Sequence, residues 1–408
     1  MTREGDLSIA LVSSYAFTKE PGGVRDFILG LREALEKNGC RVYVIAPGSK
    51  DAQKKGLVDF VLGKGFKIAT DQTEFRASLS RKKTAKKILE EIRPDIVVIH
   101  EPFVPSIGHT IISSVMSLKN SKHPVIVGQF HARREGLNWS LKAMEFAMKY
   151  FIRRPKLNRK TLLSLSSGYA STINNNLDGR IAVSQATRKF WQNLLPADYQ
   201  VVYNGIDTDK LTFQGFKVES WMNDGKKIVF FAGRHDPRKG IEDLINAFNI
   251  LTKEGNDNIK LKIAGKGKMT EDLQQMALEL GLQNLIEFVG ILPYENLIQA
   301  YRTADVVVAP STGGEGFNRT IIEARSCGTL VVCTDIEGQN EAIGKDLSPF
   351  MARPRNPRSL AKQIMAVLNL PEAKKEEICK RGIKEVKANF SWDNIAKQHV
   401  EYYKKLLN

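Results

Sequence analysis

The feature that most narrows the folds open to this chain is an alternation of short apolar runs with longer amphipathic stretches, made twice over. The first runs are Leu7–Ser13, Val42–Ala46, Asp95–Ile99, Val125–Gly128 and Arg180–Val183. After the first of them, Val24, Phe27, Ile28, Leu31 and Leu35 recur at helical spacing until Gly39. Strands that are apolar on both faces belong to parallel sheets, and parallel neighbours must be reached through a crossover helix. The series therefore predicts a doubly wound α/β domain over residues 1–205. A second series, Lys227–Ala232, Lys260–Ala264, Ile286–Val289, Asp305–Ala309 and Thr329–Cys333, predicts another over 206–390. A chain of 408 residues can bury two such cores. Between the series, Asn204–Asp224 is polar, bears Gly205 and Gly215 and lacks periodicity, so it suits a hinge. A last helix within 391–408, capped by Ser391 and striped by Trp392, Ile395, Val400 and Tyr403, is expected to pack back on the first domain. Leu137–Asp178 follows no readable pattern.

The formal charge of +16 asks for an anionic partner: nucleic acid, a membrane surface or a phosphorylated substrate. Two segments without an acidic residue, Arg76–Lys87 and Lys149–Lys160, each hold six cationic side chains. Proteins that bind single-stranded nucleic acid interleave aromatics with their cations, and Arg76–Lys87 has none, which argues against that partner. An anionic membrane fits better, each basic residue near the surface contributing about 1 kcal/mol. The candidate contacts are Arg81, Lys82, Lys83, Lys86, Lys87, Arg153 and Arg154, with Tyr150, Phe151 and Ile152 as interfacial anchors. A solvated face is the plain alternative. The start, Met1–Asp6, is polar, and no apolar run approaches the roughly 18 residues that span a bilayer. The expectation is a cytoplasmic protein associated peripherally with the inner face of the cell membrane. Cys40, Cys327, Cys333 and Cys379 have neither zinc-site spacing nor the density of a disulfide scaffold, so they are expected to be reduced.

Ligands of open parallel sheets bind beyond the carboxyl ends of the strands, which directs the search to the loops there. In Pro21-Gly22-Gly23-Val24, a glycine pair before a helix lets the backbone approach a phosphate at the positive helix end, although a plain turn accounts for it as well. The run Gly233-Arg234-His235-Asp236-Pro237-Arg238-Lys239-Gly240 sets two or three cations beside a helix N-terminus, an arrangement that suits a diphosphate. In Gly313-Gly314-Glu315-Gly316-Phe317, Glu315 precedes Glu323 by eight residues, about two helical turns. If the helix starts near Glu315, both carboxylates share one face and can accept hydrogen bonds from sugar hydroxyls. His131 follows the strand Val125–Gly128; taken alone, such a histidine is more often structural than catalytic.

Nearly the whole chain resembles family 4 of the glycosyltransferases. The match is carried in order by Gly22-Gly23, His131, Gly179-Arg180-Ile181-Ala182-Val183-Ser184, Asn204-Gly205-Ile206-Asp207, Gly233-Arg234 with Lys239-Gly240, Gly265-Lys266-Gly267, and Glu315 to Glu323-Ala324. Within the family it is most similar to the phosphatidylinositol mannosyltransferases, through His100-Glu101-Pro102 with Pro105-Ser106, Arg234 to Gly240 and the basic stretch Ser80–Lys87. The resemblance implies the GT-B fold, two Rossmann-like domains facing each other across a cleft, and transfer of a hexose with retention of anomeric configuration. It implies a nucleotide-sugar donor, GDP-mannose first and a UDP-hexose otherwise, a lipid or saccharide acceptor, and no cofactor or metal. By position, Arg234 and Lys239 would bind the diphosphate, Glu315 would orient the hexose and Glu323 would hold the ribose. His131 would lie beside the transferred sugar, Gly22 and Gly23 would close on the phosphates, and Leu292 to Glu295 would line the base. Gly265 and Gly267 would border the nucleotide, and the backbone at Gly316, Phe317 and Asn318 would meet the phosphates. Asn318 and Arg319 stand where the family has glycine and a small or apolar residue, a departure at the donor site.

Two other enzyme classes fit less well. Asp207-Thr208-Asp209 has the Asp-x-Asp form of a metal-dependent transferase, but it follows Asn204-Gly205 in the hinge instead of ending a strand. A dehydrogenase would need a third glycine after Gly265 and Gly267, where Met269 and Thr270 stand, and an acidic residue on a later strand end.

Overall fold

The structure, a computed structural model, describes residues 7–17, 22–48, 50–69, 74–79, 82–104, 106–118, 123–131, 168 and 170–408. Arg81, Pro105, Arg153, Arg154 and most of Leu137–Asp178 lie outside the described residues. Two compact units divide the chain: Met1–Gly205 with Trp392–Asn408, and Ile206–Ser391.

The first unit runs β1 (Ser8–Ser13), α1 (Gly23–Lys37), β2 (Arg41–Ala46), α2 (Lys50–Lys54), β3 (Phe60–Val61), β4 (Lys64–Ala69), β5 (Glu74–Leu79), α3 (Lys82–Ile92), β6 (Ile96–His100), α4 (Ile107–Val115), β7 (Val125–Phe130), β8 (Gly179–Ala182), α5 (Gln185–Leu194) and β9 (Gln200–Val201). Seven strands form a parallel sheet in the order β3-β2-β1-β6-β7-β8-β9, and β4 and β5 form a separate antiparallel hairpin. Strand side chains alternate between faces, and the register Ile9↔Ile96 and Leu11↔Val98 stacks equivalent positions. Ile9, Leu11, Val44, Ile96, Val98, Val127 and Ile181 pack on one face with Phe27, Ile28, Leu31 and Leu35 of α1. Ala10, Val12, Ile45, Val97, Ile99, Ile126 and Phe130 pack on the other with residues of α3, α4 and α5. Both faces are covered, so the central strands read as unbroken apolar runs.

The second unit runs α6 (Glu219–Met222), β10 (Lys227–Ala232), α7 (Ile241–Lys253), β11 (Ile259–Ala264), α8 (Thr270–Glu279), β12 (Ile286–Gly290), α9 (Tyr294–Thr303), β13 (Val306–Ala309), α10 (Arg319–Ser326), β14 (Leu330–Cys333), α11 (Pro357–Leu368) and α12 (Glu372–Phe390). Its five strands are parallel in the order β12-β11-β10-β13-β14. The segment expected as a long hinge belongs mostly to this unit. Leu211 and Trp221 are buried, the Leu211 carbonyl accepts from the Ser326 hydroxyl at 2.6 Å, and the Thr212 carbonyl accepts from Arg302 at 2.7 Å. Polarity hid that anchoring, because most of these bonds are made by backbone carbonyls, with the Thr212 hydroxyl joining at 3.3 Å from Arg302.

The last helix, α13 (Trp392–Leu407), completes the first unit. Its apolar stripe of Ile395, Ala396 and Tyr403 is fully buried beside Phe27 and Leu31. Gly30 and Gly205 form a notch for the Trp392 ring, which a Cβ at either position would strike. Gly179 makes the same kind of room for Tyr402 and Leu406. Fully burying side chains such as Ile395 contributes roughly 1.5–3 kcal/mol each, so α13 is held by burial well beyond its own helix propensity.

Candidate active site

In a doubly wound sheet, the loops on either side of the point where strand order reverses diverge and leave a crevice. In the second unit that point lies between β10 and β13. The loop after β10 turns into a short 3-10 turn, Pro237–Lys239, capped by the Asp236 carboxylate, which accepts from the Arg238 backbone N–H at 3.1 Å. Gly240 follows with φ +64, and a Cβ there would collide with the Pro310 carbonyl oxygen. The Thr312 N–H donates to the Arg238 carbonyl at 2.7 Å, so the loops after β10 and β13 are laced together. This lacing brings Lys239 Nζ to 2.6 Å from Glu315 Oε1, which also accepts from the Ser311 hydroxyl at 2.9 Å. Burial alone would raise the Glu315 carboxyl, but Lys239, Ser311 and Arg238 together hold it below the ordinary carboxylate range. Arg234 and Arg238 reach the Asp236 carboxylate at 3.4 and 3.5 Å. Three cations thus surround two carboxylates at the mouth of the crevice. Asp236 and Ser311 were not singled out from sequence; a carboxylate lying between two arginines in Arg234-His235-Asp236-Pro237-Arg238 is the signal that could have found the first.

Glu315 and Glu323 do not share a helix face, contrary to the sequence expectation. α10 begins only at Arg319, after an extended N-cap at Asn318 (φ −96, ψ 98), so Glu315 stands in the loop ahead of the helix, just after Gly313 (φ +152) and Gly314 (φ +74). Glu323 instead points into its own unit: it accepts from the Tyr301 hydroxyl at 3.0 Å and pairs with Arg319 at 3.2 Å. Both of its oxygens therefore have protein partners. Asn318 is buried at the N-cap without a side-chain capping bond, and Phe317 is buried against Phe390 with ring centroids 5.6 Å apart. Gly316 precedes them in the same loop.

On the β11 side, Gly265 and Gly267 allow close backbone approach. A Cβ at 265 would overlap the Gly233 carbonyl, and one at 267 the His235 carbonyl. Together with His235, Thr270, Phe288 and Gly290 they line a cavity of about 500 Å³, within the size range of small-molecule sites. Leu292 is half-buried just beyond Gly290, between exposed Ile291 and Tyr294. Asp207 accepts from the N–H groups of Asp209 and Lys210 at 3.2 and 3.1 Å, the bonding of a local turn.

In the first unit, the alternation that buries Ile96 and Val98 continues to His100, and that of Val127 continues to Gln129 and then His131. The register His100↔Gln129 sets these side chains on the same face. His100 Nδ1 lies 3.0 Å from His131 Nε2. Glu101 is buried with φ +56; its carboxylate accepts from the His131 backbone N–H at 2.7 Å, and its carbonyl accepts from the Ser14 hydroxyl at 3.0 Å. From α13, His399 Nδ1 meets the Ile395 carbonyl at 2.8 Å and Nε2 lies 3.3 Å from the Gln129 amide. Burial lowers all three imidazoles, His131 to about 3 and His399 to about 4, so each is neutral at ordinary pH. The Phe27 ring of α1 packs at 4.7 Å from His131. Gly22 and Gly23, at the start of α1, have nothing within 4 Å of where a Cβ would stand, so packing does not require glycine there. Sequence reading singled out His131 but missed its pairing with His100; the period-2 continuation of two buried strands into histidine was the available signal.

On α3, Lys82, Lys83 and Lys87 are exposed, while Lys86 reaches Glu90 at 3.7 Å and the Ser117 carbonyl at 3.4 Å. No helix among the described residues is long and apolar enough to cross a membrane. The described cysteines carry no disulfide.

Comparison with known proteins fits this arrangement. Residues 21–210 match Glycosyltransferase Family 4, and residues 215–386 match Glycosyl transferases group 1. The phosphatidyl-myo-inositol mannosyltransferase of Mycobacterium leprae is 26% identical over 97% of this chain and 96% of its own. An uncharacterized glycosyltransferase of Methanocaldococcus jannaschii is 27% identical over 98% of each. Among solved structures, Anabaena HepE in complex with UDP superposes with a TM-score of 0.74 at 17% identity, covering 98% of this chain and all of that one. A glycosyltransferase from Rickettsia africae gives 0.74 at 19% identity over 99% of both. Matched by one family over each half and by glycosyltransferases along its length, the chain belongs to the family 4 glycosyltransferases, with the GT-B fold of two Rossmann-like sheets.

Proposed function

We propose that this glycosyltransferase moves a hexose from a nucleotide sugar, GDP-mannose first, onto an inositol-type lipid, with retention and without a metal. The observation that carries the reading is the Lys239–Glu315 pair, held at 2.6 Å beside Arg234 and Arg238 where the sheet order reverses. In glycosyl transfer the bond from the sugar's anomeric carbon to the diphosphate oxygen breaks, and its electron pair leaves with the diphosphate. Fixed cations at that phosphate stabilise the developing charge, and preorganised groups of this kind dominate such barriers. Arg234, Arg238 and Lys239 supply the cations, and Glu315 accepts a hexose hydroxyl. The acceptor hydroxyl attacks the same sugar face, and its proton goes to the departing phosphate oxygen. The cavity at Gly265 and Gly267 takes the nucleoside, with Leu292 at its edge. For a ribose hydroxyl to reach Glu323, it must share a carboxylate already held by Arg319 and Tyr301.

The choice of mannose and an inositol lipid rests on the full-length mannosyltransferase relatives. A second reading, a UDP-hexose donor with another lipid or saccharide acceptor, is favoured by the likeness to HepE, solved with UDP and with UDP-glucose. Attraction to an anionic membrane is supported by α3, whose first turn carries Lys82 and Lys83 and no acidic residue, against the helix dipole. A cation there costs helix stability, which binding to anionic lipid headgroups would offset.

A thermal-shift and hydrolysis screen against GDP-mannose, UDP-glucose, UDP-N-acetylglucosamine and UDP-galactose, with and without EDTA, tests the donor. Stabilisation by GDP-mannose alone supports the mannosyl reading, and preference for a UDP-sugar selects the second. Activity abolished by EDTA and restored by manganese overturns the metal-free mechanism. Sedimentation with anionic vesicles, lost at high salt and weakened in a Lys82→Ala/Lys83→Ala/Lys87→Ala variant, tests the membrane; equal binding to neutral vesicles removes it.

A further inference from the structure

We infer that His100 fixes the ring tautomer of His131, so that His131 presents its Nδ1–H as a hydrogen-bond donor to the transferred hexose. The inference rests on the reading that His131 lies beside that sugar, and it adds His100 as a positioning residue.

His100 Nδ1 and His131 Nε2 are 3.0 Å apart, and one N–H joins two neutral rings. Burial keeps both rings neutral. α13 contributes His399, itself neutral and bonded to the Ile395 carbonyl, and α1 contributes the uncharged ring of Phe27. One oxygen of the Glu101 carboxylate accepts from the His131 backbone N–H. Two assignments satisfy the bond. If His131 Nε2 carries the proton, His100 must carry its own on Nε2, which is buried and has no partner among the described residues. If His100 Nδ1 carries it, the same buried Nε2 is a bare lone pair. A buried N–H without an acceptor is rarer and costlier than an unfilled lone pair, so the second assignment holds. His131 then accepts at Nε2 and carries its proton on Nδ1, an atom with no hydrogen-bond partner among the described residues. A hexose hydroxyl there accepts from Nδ1–H and keeps its own proton for another acceptor.

Long-range ¹H–¹⁵N correlation spectra of the full chain labelled in histidine, near neutral pH, read the tautomer directly, with His131 assigned by its loss in His131→Phe. The wild type should show Nδ1–H at His131. His100→Leu should lose that preference and lower kcat roughly tenfold, the size of one ordinary hydrogen bond. His100→Asn can place an amide N–H where Nδ1 stood, and should restore both the tautomer and most of kcat. Nε2–H at His131 in the wild type overturns the inference, as does an unchanged tautomer in His100→Leu. Should His100→Leu fail to fold, the wild-type and His100→Asn spectra still decide. Full activity in His131→Phe overturns the reading of His131 at the sugar, a failure distinct from that of the tautomer.

Discussion

Mild acid should destabilise the first unit through its buried histidines. His100 and His399 are fully buried and the His131 ring stacks on His100; burial lowers all three, His131 to about 3 and His399 to about 4. In the unfolded chain each titrates near the ordinary value of about 6.5. The folded values are depressed, so the neutral rings stabilise the fold fully above about pH 6.5, and that contribution is lost as pH falls toward the folded values. Between about pH 7.5 and 5.5 each histidine costs about 1.4 kcal/mol, about 4 kcal/mol for the three. Against a domain stability of about 5–15 kcal/mol this is a large fraction, and for a unit of this size it lowers the melting temperature by roughly 8–16 °C. Scanning calorimetry of the wild type and of His399→Leu at the two pH values isolates the effect, since carboxylates titrate alike in both proteins. The variant should lose about a third of the pH sensitivity of the transition it shifts. A pH dependence identical to that of the wild type would refute the reasoning.

Arg234→Ala and Lys239→Ala should each lower transfer by about 10²–10³. Because Lys239 neutralises a Glu315 side chain that is only 13% exposed, Lys239→Ala should also lower thermal stability, while Arg234→Ala, whose side chain is 47% exposed, should not; melting curves set beside steady-state rates separate the two effects. Adding Glu315→Gln to Lys239→Ala should recover stability without activity, and recovery of activity would sink the role given to Lys239. Gly240→Ala should destabilise the second unit by more than about 1 kcal/mol in urea unfolding, since its positive φ and the Pro310 carbonyl both oppose a side chain.

The alternation of apolar runs placed the central strands nearly residue for residue, because a strand covered on both faces must be apolar throughout. It did not show Phe60–Val61 or Gln200–Val201 at the sheet edges, where two residues cannot establish a period, nor the hairpin of β4 and β5. The glycine-rich loop after β13 was legible as a site, but the placing of both carboxylates on one helix was wrong. The extended backbone at Asn318 delays the helix to Arg319, and spacing cannot register that. The loop after β10 disclosed its cations but not the Asp236 carboxylate that gathers two of them, since ion pairing within a loop leaves no periodic trace. His100 sat in a motif already noted, yet its contact with His131 joins neighbouring strands and depends on their register.

The crossing of the chain between units at Gly205–Ile206 and back at Ser391–Trp392 makes the second unit an insertion within the first. During synthesis, therefore, the whole second sheet emerges before the helix that seals the first. Until then the pocket for the Trp392 ring beside Gly30 and Gly205 stands empty, and the face carrying Phe27 and Gln129 is open to water. A stop codon anywhere after Ser391 thus strikes the domain made first, and a nascent chain held at that point would expose its first domain to chaperones while its second is already complete.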